Sequence, residues 1–308
     1  MTQTRRGRFE SDRVHVGILS LDYRQTKARA LFKGRSGHTT QHLLTLLVGL
    51  DSVRAGAKPT SSLPASWNPV SQEDAAARAR VFALSTALVW TVESVVSYVK
   101  DLTRAIPATL DTSLIAKIRN EKDKETKLVL LVKHLSIQEA DALTLVRAGY
   151  VWRNRLTHYD STNQVSADVK TQLEGSPQSM KDGYQGLDAA QLLERIEQGE
   201  TPRLKETAAI IRAASTLVRS IDQRVTETKG TLDYLRAGLA QYLQHTMPGT
   251  PRKKAAGLWG GTEAQNRRSL ENFGTQMSLS RVIDACRDDE GLALLTPQEA
   301  VELLLPDA

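Results

Sequence analysis

The sequence predicts a mainly α protein: an antiparallel bundle of four or five helices, preceded by a small strand-and-helix extension and followed by a small helical segment. Three apolar stripes carry that expectation. Val81, Leu84, Leu88, Val92, Val95, Val99 and Leu102 recur at steps of three and four, which keeps one helix face against a core. Leu145, Gly149, Trp152, Leu156 and Tyr159 repeat the pattern. Leu204, Ala208, Ile211, Ser215, Val218, Ile221 and Val225 form a third stripe. Long amphipathic helices of this kind pack side by side as bundles.

The remaining elements follow in chain order. Val14, Val16 and Ile18 alternate and predict a short strand whose pattern fades by about Phe32. Gly34 and Gly37 predict a turn, and residues 39–56 a helix with Leu43, Leu46, Leu47 and Leu50 on one face. Ala57 to Pro69, with three prolines, reads as a loop and as the main domain boundary. Ser71 can cap a helix that runs to about Ala105, before Pro107. Short helical pieces follow from Ser113 and over 124–135. Ser136-Ile-Gln-Glu139 has the form of a capping box, opening a helix to about His158 or Tyr159. Residues 160–200, rich in Gly, Ser, Gln and Asp, read as a long surface excursion with one short helix near 187–198. Pro202 starts the last long helix, which continues past Gly230 until Pro248-Gly-Thr-Pro251 ends it. Thr296-Pro297-Gln298-Glu299 starts a small terminal helix. The expected units are therefore 1–70, 71–247 and 248–308.

Composition narrows the function classes. Of 308 residues, 40% are apolar and 25% charged, as in globular proteins. Cys286 is the single cysteine, so no internal disulfide forms, and a reducing, cytoplasmic compartment is expected. The basic N-terminus has no apolar run behind it, so no signal peptide is expected. No stretch reads as a run of roughly 18 apolar residues, so no membrane partner is expected. No Cys/His cluster has zinc spacing, no Gly-rich loop carries a phosphate-binding lysine, and no Gly-x-Ser-x-Gly elbow occurs. No metal or cofactor is expected.

The net charge of +6 is unevenly placed. Residues 1–35 hold nine Lys/Arg against Glu10, Asp12 and Asp22, and Arg252, Lys253 and Lys254 mark a second basic stretch. The chain from 271 on is acidic. Basic segments beside a neutral body suit a polyanion such as RNA. A solvated terminus fits the same charges.

An arginine followed at five to seven residues by a histidine occurs three times: Arg8 to His15, Arg35 to His42 and Arg153 to His158. Context separates them. The first lies in a segment turning into a strand and the second straddles the expected Gly turn. Only Arg153 and His158 lie together on a strongly signalled bundle helix. At about 100° per residue, Asn154 and His158 point roughly 200° from the core stripe and share a face. Arg153 lies to one side, with an arm long enough to reach the same space.

The run Arg153-Asn154-Arg155-Leu156-Thr157-His158 on an internal helix, with the helix order of residues 71–247, resembles the HEPN superfamily (higher eukaryotes and prokaryotes nucleotide-binding domain). The resemblance leaves residues 1–70 and 249–308 unexplained. It implies a metal-independent endoribonuclease, acting as a toxin or anti-phage effector, whose homodimer lines one cleft with both motifs. By the same resemblance His158 is the general acid/base and Arg153 the phosphate clamp, and Asn154 orients His158 or the phosphate. Arg147 and Arg155 would add electrostatic attraction to RNA, as would Arg252, Lys253 and Lys254. Glu93, beside the stripe of the first bundle helix, could hold Arg153 or His158; a plain surface position is the commoner fate of a glutamate. HEPN-type bundles also serve as noncatalytic dimerisation or nucleotide-binding modules. In that alternative the terminal segments would dock a regulatory protein partner.

Overall fold

The computed structural model describes residues 14–16, 19–21, 25–58, 67–105, 110–158, 161 and 163–229, with 262, 265 and 272 beyond them. The helix continuation past Gly230, the basic linker with Arg252, Lys253 and Lys254, the Thr296 helix start and Tyr159 lie outside the described residues. The two strands β1 (Val14–Val16) and β2 (Leu19–Leu21) pair antiparallel, Val14 opposite Leu21. Helix α1 (Lys27–Arg54) and helix α2 (Gln72–Arg104) then form a long antiparallel pair, tied by Arg35–Asp101 at 2.9 Å and Arg80–Asp51 at 3.0 Å.

Helix α1 corrects two expectations. Residues 27–38 are helical, and Gly34 and Gly37 lie inside the helix instead of forming a turn. A glycine costs roughly 1 kcal/mol in a helix interior. Burial of Ala28, Phe32, Leu43 and Leu47 along one side outweighs that cost. The start is fixed as well. Thr26 accepts from the Arg29 amide at 3.1 Å, and both its amide and its hydroxyl donate to the buried Asp222 of the last helix. Burial pushes the Asp222 carboxyl up, opposed by those hydrogen bonds and by Arg29 at 3.6 Å. The 57–69 connection therefore joins two helices of one packed core.

The stripe of α2 is buried from Leu84 to Leu102, whereas Val81 is exposed. Ser71 caps α2 as expected, accepting from the Asp74 amide at 3.1 Å. By length and composition α2 is apolar enough to cross a membrane, with a mean hydropathy of 1.4 over its best window, half of it buried among the other helices. The expectation that no segment reaches that composition is corrected accordingly. Interspersed serines, threonines and alanines hide the stretch from a search for an unbroken apolar run.

Helices α3 (Thr112–Asn120) and α4 (Lys124–His134) lead to α5 (Ala140–Thr157). The expected capping box does not form. Ser136 sits at φ +52° and closes α4: the Ile137 amide donates to the Val132 carbonyl at 3.1 Å, and Ser136 to Lys133 at 3.2 Å. That is a left-handed helix stop of the Schellman kind, with serine in place of glycine. Glu139 faces the last helix instead, accepting from the Ser220 hydroxyl at 2.9 Å.

Residues 160–200 are also corrected. They hold three short helices, α6 (Ala167–Gly175), α7 (Pro177–Gly183) and α8 (Ala189–Glu197). Val169, Leu173, Met180, Leu192 and Ile196 bury against the same core as α5. Helix α9 (Leu204–Lys229) completes the bundle. Its buried side is Ile210, Ala213, Ala214, Leu217, Val218, Ile221 and Val225, while Leu204 at the start of the expected stripe is exposed.

Gly149 marks where α2, α5 and α9 meet. A β-carbon there would lie 3.1 Å from Ile210 Cγ2 and 3.3 Å from Val92 Cγ2. The close approach of three helices explains a glycine in mid-stripe.

Candidate functional site

The candidate site is the last turn of α5 and the side of α2 it faces. Leu145 and Trp152 are fully buried, and Leu156 is partly buried against the core. Trp152 also donates its indole N–H to the Glu200 carbonyl at 2.7 Å. This anchor fixes the rotation of α5 one residue before the motif begins.

Arg153 is then held from two sides. One Nη donates to Asn154 Oδ1 at 2.7 Å, and the other pairs with Glu93 on α2. Its side chain is only 15% exposed. Glu93 is thus a partner of Arg153, and Lys124 of α4 approaches the same carboxylate at 3.5 Å. Arg153 Nε finds no hydrogen-bond partner among the described residues. One donor of this oriented guanidinium is therefore buried without a partner, while the two Nη atoms carry the bonds to Asn154 and Glu93.

His158 is exposed and stands just past the helix as its C-terminal cap, at φ −128°. Its amide donates to the Asn154 carbonyl at 2.9 Å, and its carbonyl accepts from the Ser161 amide at 3.0 Å. The i→i−4 bond to Asn154 places His158 one helical turn beyond it, and the extended backbone turns the chain away only after it. Arg153 and Asn154 are brought together directly; His158 follows at the solvent edge.

The two other arginines on α5 are engaged elsewhere. Arg147 bonds Glu125 at 2.6 Å, Ser166 at 3.1 Å and Asp168. Arg147 and Ser166 together hold the Asp168 carboxyl down, to about 2. Arg155 donates to carbonyls at the C-terminal end of α8, Ile196 and Glu197, and to Asn163 O at 2.9 Å. Both pin α6 and α8 onto α5.

Tyr150 was not singled out by sequence reasoning. It lies one turn before Arg153, is buried, and its hydroxyl has no hydrogen-bond partner among the described residues. Burial, then the carboxylates of Glu93, Glu125 and Asp123, pushes its phenol well above the usual range, with Arg153 opposing. The phenol therefore stays protonated and is a donor beside the ion pair. Its spacing of three from Arg153 was the available signal, masked because a tyrosine beside a core stripe reads as packing.

Among the described residues no group of three or more His, Cys, Asp or Glu is placed to hold a metal ion. No family model, curated protein or solved structure matches the chain.

Proposed function

We propose that the protein is a metal-independent endoribonuclease of HEPN type, working as a homodimer in a toxin or anti-phage setting. The observation that carries this reading is the pairing of an oriented, largely buried Arg153, held by Glu93 and Asn154, with the exposed His158 five residues on. RNA brings its own nucleophile. The 2′-oxygen attacks phosphorus, the bond from phosphorus to the 5′-oxygen breaks, and a 2′,3′-cyclic phosphate forms. One imidazole takes the 2′-hydroxyl proton and another protonates the departing 5′-oxygen. A chain with one such motif supplies both roles only as two copies. Arg153 meets the charge that builds on the phosphoryl oxygens, its Nη atoms exchanging part of their present bonding to Glu93 and Asn154 for the phosphate. The toxin or defence role rests on the resemblance alone.

One observation favours the noncatalytic alternative: Glu93 already neutralises Arg153. In that reading the bundle is a dimerisation or binding module and the ion pair is a structural tie between α2 and α5. The deciding experiment is incubation of the pure protein with total RNA in EDTA, beside the His158→Ala variant. Cleavage by the first and not by the second supports the nuclease; identical, intact RNA in both lanes removes it.

A further inference from the structure

The groove between α1 and α2 plays no part in the chemistry above. It encloses about 460 Å³. Arg35, His38 and His42 line it from α1, and Phe82 and Trp90 from α2. The two aromatic rings are unusually open, Phe82 at 72% and Trp90 at 61% exposed. Large apolar side chains left in solvent on one face mark a binding surface. They sit eight residues, about 12 Å, apart on one side of the helix.

Charge indicates the occupant. Arg35 lines the groove from α1 with His38 and His42 one and two turns on, and no carboxylate lines it among the described residues; Lys27 and Lys33 lie on the same helix outside the lining. Asp101 on α2 reaches Arg35 at 2.9 Å, yet the arginine side chain remains 40% exposed. His38 and His42 stack with ring centroids 6.3 Å apart, setting two more ring nitrogens along the same wall. A second copy of the chain would set the same patch, with Arg35 and its two neighbouring imidazoles, against itself. A polyanion with flat, apolar bases fits both walls. Sequence-independent binders of single strands combine a basic track with aromatic platforms in this way. The groove also leads toward the site. Trp90 is one turn from Glu93 on α2, so the aromatic wall runs on to the carboxylate that holds Arg153.

We propose that this groove binds single-stranded RNA, bases stacking on Trp90 and Phe82 and phosphates facing Arg35, His38 and His42. The proposal rests on the reading of the protein as RNA-directed, but not on cleavage. The test uses the full chain carrying His158→Ala, so that the probe survives. A fluorescein-labelled single-stranded RNA is titrated by anisotropy, with Trp90→Ala, Trp90→Leu and Phe82→Ala compared in the same background. Each variant should weaken binding at least about fivefold, the lower end of what loss of one stacked base costs. Trp90→Leu, which keeps the surface apolar, should fail like Trp90→Ala, and duplex RNA should bind more weakly than single strand. Unchanged affinity in both Trp90 variants, or no RNA binding by the parent, would overturn the proposal. So would sedimentation showing that Trp90→Ala dissociates a dimer while RNA affinity stays the same. Binding through the groove by a protein that never cuts RNA removes the nuclease reading and leaves the groove. Cutting and binding that ignore Trp90 remove the groove and leave the nuclease.

Discussion

Two Arg-to-His runs of this chain lie on helices of the same bundle, and their surroundings differ. Arg153 is largely buried, its guanidinium fixed between Glu93 and Asn154, and it follows directly on the fully buried Trp152. Arg35 is half open to solvent with a single carboxylate partner, and His42 stacks on His38 in mid-helix. The α5 run sits on a rigid base and ends at a helix terminus. The α1 run lies along an open, aromatic groove. A positioned group suits a reacting phosphate, and an open row of an arginine and two imidazoles suits a chain that must slide into place. On the reading proposed above the same loose pattern would serve two different tasks, and rigidity separates the two runs.

That contrast can be broken most severely at its base. Trp152→Ala should cost about 3–5 kcal/mol of stability, read as a lowered midpoint in chemical denaturation. Trp152→Phe should lose less, chiefly the hydrogen bond to Glu200. An unchanged midpoint for the alanine variant would mean that α5 is not anchored as described.

Next come the motif residues themselves. His158→Ala and Arg153→Ala should each reduce RNA cleavage at least about a hundredfold. Arg153→Lys should recover only part, since lysine lacks the forked grip on phosphate. His42→Ala should raise KM and leave kcat close to its starting value, because its place is in the groove. His15→Ala, from β1, should change neither. If His15 proves essential and His158 dispensable, the motif has been misassigned.

Glu93 sharpens the comparison further. Glu93→Gln removes one charge-assisted hydrogen bond from Arg153 and should lower kcat about tenfold or more with little change in KM. The noncatalytic reading predicts instead a loss of thermal stability and nothing else.

The smallest effect concerns Asp168, which Arg147 holds at about 2. A carboxyl lowered in the folded state contributes stability above its unfolded value of about 3.9, and loses it as pH falls toward the folded value. Asp168→Asn should therefore destabilise the protein modestly at pH 6, and the gap to the parent should close by about pH 2. A gap that persists at pH 2 would show that Arg147 is not the cause.

Much of this was legible in the sequence, and the failures have physical reasons. Regular stripes in α2, α5 and α9 placed the bundle, because a period of 3.6 residues is set by burial over many turns. Helix α1 was half missed because Gly34 and Gly37 carry a local turn signal that burial of Phe32 and Leu43 overrides. Ser136 misled in the opposite way: a serine three residues before a glutamate signals a helix start, yet here it closes the helix before. Helix α8 was read near its place, whereas α6 and α7, nine and seven residues long, are too short for periodicity to stand out from their polar connectors. The placement of Arg153 and Asn154 in the last turn of one bundle helix, with His158 at its end, was readable from spacing and helix context. The Glu93 pairing was visible only as an option, since contact between residues sixty apart depends on how α2 and α5 pack. Tyr150 gave only its spacing of three from Arg153, which reads as packing beside a core stripe.

The central claim is that Arg153 and His158 act on a phosphate attacked by its own 2′-hydroxyl. The most direct measurement uses an RNA oligonucleotide that the protein cuts, and the same oligonucleotide with a single 2′-deoxy sugar at the cut position, both in EDTA. The account predicts that the all-RNA strand yields a 2′,3′-cyclic phosphate end and that the substituted strand survives at that position. Cleavage at the deoxy position, or a product ending in a 5′-phosphate, would contradict it.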